Sequence, residues 1–416
     1  MPLRIAVLAL VLATGTARAQ PGPDMPPAPP AAPAITDESP VIDLVTMGIG
    51  SLIWERHGHI ALCVTEHGLG EALRHPGNPN NFCYNYGIGD FHQPVKMAWG
   101  FFRAADSFWV GKDAPERMLE VYLYFDRTVW VQPLPLNAAQ KTKVIAKLEH
   151  DILPENRNYS YDHFADNCTT RIRDIIDNVT DGSLSKMTEL GDGKTFRDLA
   201  RDGFIGMKSM SRLSLLITDM AMGRSTDRVP TYWERMFLPQ FLREAVAKRF
   251  NITPIPIYTR KECRGITTPN CVMRGVDVPD DGPSGRVIFA LIVIALTAPS
   301  WATRLWGRFQ RIGLAVSILP YALLGTVLTF LAAISPLPYV RWNESCLVYL
   351  PIDLVAVFLS SAQARKYARG RVVMLGLIAV LLVLNVFHQP LWAPLLWPLI
   401  PMAALGFMPN ESDKKK

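Results

Sequence analysis

Charge is scarce in this sequence. Asp, Glu, Lys and Arg make up 19% of 416 residues, low for a soluble protein and ordinary for a chain with membrane-spanning helices. Cysteine is scarce too. There are six, with no Cys-x-x-Cys pair and no His/Cys spacing that fits a zinc site, so neither a metal nor another cofactor is expected. No internal repeat runs through the N-terminal domain. The net charge of +6 invites a nucleic-acid reading. The positive charge sits largely in loops beside apolar runs, where membrane topology accounts for it, so no nucleic-acid partner is expected.

What is present is unevenly spread. Apolar residues, 49% of the chain, concentrate after Arg286. Residues 1–19 read as a signal peptide, with Arg4, the apolar run Ile5 to Val11, and Ala17-Arg18-Ala19 as the cleavage site. Residues 20–35 read as a Pro/Ala-rich linker. Residues 36–280 then form an extracytoplasmic domain, residues 286–408 a transmembrane domain, and residues 409–416 a cytoplasmic tail.

About five spans are expected: Val287 to Trp301, Leu314 to Ile334, Leu347 to Ser360, Val372 to Phe387, and Leu391 to Phe407. Arg304, Arg308 and Arg311 lie between the first two. Arg365, Lys366, Arg369 and Arg371 lie between the third and fourth, and Lys414, Lys415 and Lys416 follow the last. Basic loops stay cytoplasmic, so the N-terminal domain faces the outside of the inner membrane, the C-terminus lies inside, and the number of spans is odd. Asp353 and Glu344 in or near the third segment are expected at its outer end, within reach of water. Prolines 390, 394, 398 and 401 break up the last segment.

The domain is α+β by pattern. His59 to Val64 alternates with period two, Phe82 to Tyr86 reads as a second strand, Leu119 to Phe125 as a third and Thr128 to Val131 as a fourth. A helix spans Ala138 to His150, capped by Asn137 with Gln140 three residues on. Another begins after Asp166 or Asn167, with Ile172, Ile175, Ile176 and Val179 on its apolar face. The stripe Met236, Phe237, Phe241, Leu242 and Val246 reads as core packing, with a place on a bilayer surface as the alternative.

Cys168 stands at the first turn of that second helix, where the positive end of the helix dipole favours a thiolate and so a nucleophile. A cysteine nucleophile needs a base. His59 shares one strand face with Ala61 and Cys63, and the small Ala61 leaves room for the helix that carries Cys168. His59 is therefore the base, with His57 as the alternative. Asp90 and Asn85 are both candidates for the third residue that orients His59.

Several segments together resemble a known family. They are Gly58-His59-Ile60-Ala61-Leu62, Tyr84-Asn85-Tyr86-Gly87 with Asp90-Phe91, Tyr159-x-Tyr161-Asp162, Asn167-Cys168-Thr169-Thr170-Arg171, and Trp233 to Pro239. The pattern is similar to the Lnb N-terminal periplasmic domain family, over roughly residues 40 to 250. Family members carry an aromatic residue where this chain has His57. The resemblance implies a permuted papain-like (NlpC-like) domain followed by an all-α transmembrane bundle. It implies a cysteine-dependent acyltransferase that moves an acyl chain from a phospholipid, through a thioester, to the N-terminal amine of a diacylated lipoprotein. Catalytic Cys168 and His59 and substrate-binding Tyr161, Asn167 and Arg171 go with it. Arg171 and Arg173 could each meet a phosphate headgroup or form a structural salt bridge. A Cys–His hydrolase of cell-wall peptide or lipid ester, and a non-catalytic lipid- or lipoprotein-binding protein, are the competing readings.

The compartment is oxidising, so disulfides are expected between Cys263 and Cys271, close in a polar loop, and between Cys63 and Cys83 on neighbouring strands. That leaves Cys168 and Cys346 free.

Overall fold

The computed structural model describes residues 34–408 apart from 91, 106, 205–219 and 277–284. The expected signal peptide, nearly all of the linker, Phe91 and the C-terminal tail lie outside the described residues.

Among the described residues, seven strands form one antiparallel sheet: β1 (Val41–Met47), β2 (His59–Thr65), β3 (Phe82–Gly89), β4 (Phe108–Asp113), β5 (Val129–Pro133), β6 (Asn158–Tyr159) and β7 (Ile255–Tyr258). Their order is β6-β4-β3-β2-β1-β5-β7. β1 and β2 are central, pair from Val41↔Thr65 to Met47↔His59, and bury nearly every residue. Such strands have no solvent face, because helices cover both sides.

On one side pack α4 (Ala138–Asp151), α5 (Cys168–Val179) and α8 (Pro239–Phe250). Their Val144, Leu148, Ile172, Ile176, Leu242 and Val246 share a core with Ile60, Leu62 and Val64. On the other side lie α1 (Leu69–Arg74) and α3 (Pro115–Tyr124), where Leu69 and Met118 meet Val45, Ala61 and Cys63. The stripe from Met236 to Val246 is buried as core. The Asn137 capping box forms as read, with Gln140 N donating to Asn137 Oδ1 at 2.9 Å. Both expected disulfides are present, Cys63–Cys83 between facing residues of β2 and β3, and Cys263–Cys271.

Leu119 to Tyr124 is helical, not a strand, and Phe125 caps the helix. Pro115 sits at its first position, where a missing N–H costs nothing. Met118 and Tyr122 pack inward at helical spacing while Val121 and Tyr124 face out. Apolar residues on both faces mimic a strand's composition. The chain completes this part with α2 (Pro94–Phe102), α6 (Phe196–Phe204), α7 (Tyr232–Arg235) and α9 (Pro269–Arg274).

The C-terminal part is helical: α10 (Gly285–Trp306), α11 (Gln310–Ile334), the short α12 (Pro338–Arg341) and α13 (Ser345–Val348), α14 (Ser361–Val383) and α15 (Trp392–Phe407). Among the described residues, two helices, over Val287–Trp306 and Gln310–Ile334, are long and apolar enough to cross a membrane; Trp392–Phe407 is apolar but shorter. α15 continues through Pro398 and Pro401. The expected third span is broken. After α13 the chain runs as a 3-10 turn, Pro351–Val357, because Pro351 donates no N–H and starts a new turn. Irregular backbone of this kind is tolerated within a helix bundle where neighbours bury it.

The fourth segment starts earlier than expected. Ser360 caps α14 with Gln363, so Arg365 to Arg371 lie inside the helix rather than in a loop. Arg371 and Asp353 are also not at a watery edge. Asp353 is 0% exposed. Its carboxylate accepts from Arg371 Nε at 3.0 and 3.1 Å and from the hydroxyls of Tyr321 and Tyr367 at 3.1 and 2.7 Å. Glu344 is buried as well and accepts the N–H groups of His388 and Gln389. Length and hydropathy read neither pair, because each partner comes from a distant segment.

Candidate active site

Cys168 opens α5 for a local reason. Asn167 Oδ1 accepts the N–H groups of Thr169 at 2.8 Å and Thr170 at 2.9 Å, and Thr170 Oγ1 accepts the Asn167 N–H at 2.7 Å. Such a cap contributes about 0.5–2 kcal/mol. Asn167 Nδ2 donates to the carbonyls of His163 and Phe237, which ties the helix start to the segment before α8. Every polar atom of this side chain is therefore engaged in fixing the helix, and none is turned to a substrate. Ile172, Ile175 and Ile176 then seat α5 on the sheet, each buried side chain stabilising by about 1.5–3 kcal/mol.

The thiol lies at the end of the sheet where β2 begins. Gly87, at the end of β3, has φ +81°, and a Cβ there would stand 3.3 Å from Cys168 Cβ and 3.5 Å from Tyr159 Oη. Glycine lets all three groups close on one another. The one side chain in hydrogen-bond range of the sulfur, among the described residues, is Thr169 Oγ1 at 3.8 Å. Cys168 is buried and in no disulfide.

Burial pushes the Cys168 thiol up to about 11; the Thr169 hydroxyl and the N–H groups of Thr169, Cys168 and Ile60 oppose this. A thiolate set up by the helix start does not survive this burial. Alkylation of Cys168 by iodoacetamide is therefore expected to climb steadily with pH towards a midpoint near 11. A midpoint below 7 would indicate a preformed thiolate–imidazolium pair instead.

His59 is placed differently from the sequence reading. α5 packs on the Ile60/Leu62 side of β2, whereas Ala61 and Cys63 face α1 and α3. Both sides of a central strand are apolar, so the small Ala61 carried no information about which layer holds α5. The His59 ring stacks on Tyr122 of α3 with centroids 6.3 Å apart. No hydrogen bond joins His59 to Cys168. The two residues share one end of one sheet, with the sulfur acted on by the N–H of Ile60, the next residue after His59. Burial pushes the His59 imidazole down to about 4, with Arg127 acting the same way and the Asn85 side chain opposing. Thiol and imidazole are thus both neutral at pH 7.

Asn85 faces Ala61 across β2 and β3, on the His59 side of the sheet. Its Oδ1 is buried and makes no hydrogen bond of good geometry, leaving it available to an imidazole N–H. Asp90 is not brought there. It is exposed, and its carboxylate accepts from Gln93 Nε2 at 2.9 Å and the His92 N–H at 3.2 Å. His57 packs against His163, 4.7 Å between centroids, and Phe204. Burial holds it well below its usual value.

Tyr161 lies beside the sulfur, with its ring 4.5 Å from that of Phe108. Arg171 is committed elsewhere. Its guanidinium grips Asp166 through two bonds of 2.6 and 2.8 Å and covers the Tyr159 ring at 3.7 Å. Arg173 pairs with Asp174 and covers Trp233. For both arginines the structural salt bridge is what forms.

Two tyrosines stand near Cys168 without having been singled out. Tyr159 Oη is buried and without a well-formed hydrogen bond, and its phenol is raised well above its usual value by burial, then by Cys168. Tyr122, on which His59 stacks, is raised by burial, with Arg127 opposing and Cys168 adding to the rise. The Ala114-Pro115 start of α3 was the available signal for Tyr122. Among the described residues no group of three or more His, Cys, Asp or Glu is arranged to hold a metal ion.

Residues 35–201 match the family described as the Lnb N-terminal periplasmic domain, the stretch that holds His59, Asn85 and Cys168. Comparison with curated proteins gives no match, nor does comparison with solved structures.

Proposed function

We propose, proceeding from an N-terminal domain that belongs to the Lnb periplasmic family, that this membrane protein is a Cys168-dependent acyltransferase from phospholipid to lipoprotein. The observation that carries the reading is a buried thiol outside any disulfide, fixed by a fully used N-cap, at the sheet end that also holds His59 and Asn85.

His59 takes the thiol proton as the sulfur attacks the ester carbonyl of a phospholipid. This is general-base catalysis from a neutral pair, in which the hydrogen bond from thiol to imidazole is made only in the complex with substrate. The oxyanion is met by the N–H of Cys168 and by Tyr159 Oη, whose buried hydroxyl makes no well-formed hydrogen bond. The C–O bond breaks, the lysophospholipid oxygen takes the proton back from His59, and an acyl-thioester remains. The free amine of a diacylglyceryl-cysteine at a lipoprotein N-terminus then attacks the thioester. His59 accepts that amine's proton and returns it to the departing sulfur, leaving an amide and the original thiol. Asn85 accepts from the imidazole and holds its ring. Two bilayer-resident substrates suit a membrane-anchored domain, since the search is confined to a plane.

The test is expression of the full chain in a strain lacking lipoprotein N-acylation, read by the mass spectrum of a native lipoprotein N-terminus. A third acyl chain is expected. A spectrum that stays diacylated while lysophospholipid accumulates would make the enzyme a hydrolase; one without either change would leave a binding protein.

A further inference from the structure

α2 is a nine-residue helix, Pro-Val-Lys-Met-Ala-Trp-Gly-Phe-Phe, that follows the strand whose Gly87 touches Cys168. At the helical repeat it has three faces. Met97, Gly100 and Phe101 face the protein: Met97 packs on the sheet core, Gly100 is closed in by Ser107, and the Phe101 ring lies 6.1 Å from that of Tyr161. Lys96 and Arg103, seven apart, form an exposed basic stripe. Val95, Ala98, Trp99 and Phe102 make the third face. Val95 is 83% exposed, Trp99 is 46% exposed and Ala98 is exposed as well. An apolar face left open on a short helix marks a docking surface.

The surroundings identify what covers it. The Trp99 ring stacks 6.0 Å from that of Phe330, near the end of α11. That helix is one of two that, among the described residues, are long and apolar enough to cross a membrane, and Phe330 is itself 50% exposed on its flank. Phe101 and Phe102 join Leu331, Leu337 and Val340 in one cluster. The open face of α2 therefore continues the exposed apolar flank of α11. Its border of Lys96 and Arg103 matches the negative charge of phosphate headgroups, with the long stems able to lie along the apolar layer.

We propose that α2 is an interfacial helix lying in the bilayer surface beside α11. Val95, Ala98, Trp99 and Phe102 sit at acyl-chain depth, and Lys96 and Arg103 sit among headgroups. A lipid chain entering along its inner edge passes Phe101 and Tyr161 to reach Cys168. Only this last step rests on the acyl-transfer reading; the membrane position does not.

The test uses the full chain with both free thiols removed, Cys168→Ala and Cys346→Ser, and one added cysteine at a time: Val95→Cys, Lys96→Cys, Ala98→Cys or Arg103→Cys. All four positions are exposed, so folding is not at issue. Each carries a nitroxide in phosphatidylglycerol-containing vesicles, and power saturation compares relaxation by oxygen with relaxation by a water-soluble nickel chelate. A reversal is expected, with oxygen dominant at 95 and 98 and the chelate dominant at 96 and 103. Chelate dominance at all four would place α2 in water and overturn the proposal, as would equal accessibility around the helix. Because the readout is depth alone, lipid contact without acyl transfer would refute the enzyme reading and leave this one standing.

Discussion

Cys168→Ala is expected to lower acyl transfer from vesicle phospholipid to a diacylated lipopeptide by about 10⁴-fold or more, to background, in single-turnover assays. The reason is specific to this site. The sulfur is buried against Gly87 and Ile60, and no second thiol is near, since Cys346 lies in the helical part and the other four cysteines are paired. His59→Ala is expected to cost about 10²- to 10⁴-fold, the usual contribution of a general base. The loss should not be rescued at neutral pH, because a thiol held up to about 11 ionises little without a proton acceptor. Asn85→Ala removes one hydrogen bond to an imidazolium, worth about 1.5–3 kcal/mol, hence about tenfold to a hundredfold in rate. His57 packs against His163 and Phe204. A larger loss from His57→Ala than from His59→Ala would reverse the assignment.

Asp353→Ala is expected to destabilise the helical part by about 3–5 kcal/mol, seen as a fall in the melting temperature of detergent-solubilised protein. Asp353 and Arg371 are 0% and 3% exposed as side chains and meet at 3.0 Å. Removing the carboxylate strands a guanidinium among Tyr321, Tyr349 and Val348, all fully buried. It also releases the 3-10 segment that the pair ties to α14. Removing both charges, as Asp353→Leu with Arg371→Met, should recover most of the loss, because an apolar pair of similar volume costs little desolvation. A single variant that melts with the parent would show that the pair does not hold the broken segment.

Local signals in the sequence resolved well where one segment determined its own structure. The Asn137 and Asn167 caps, the period of β2, the apolar face of α5 and the facing Cys63 and Cys83 are of that kind. The failures needed partners from far away. A central strand covered on both sides has no preferred face to read, so the layer carrying Cys168 was assigned to the wrong side of His59. α3 buries one apolar face and exposes another, which blurs its period. Asn167 and Arg171 look like ligands in a motif and turn out to be fastenings, because Phe237 and Asp166 reach them first. Asp90 stands only five residues from Asn85, yet the turn after β3 carries it to the surface. Arg371 reads as a loop charge until Asp353 is folded against it.

The central claim, that the acyl group passes through one sulfur, is tested most directly by the intact mass of the full-length protein after incubation with phospholipid vesicles and no acceptor. A gain of one acyl chain is expected, released by hydroxylamine and mapped to the peptide bearing Cys168. Full transfer to lipopeptide with no acyl group ever found on Cys168 would contradict the account.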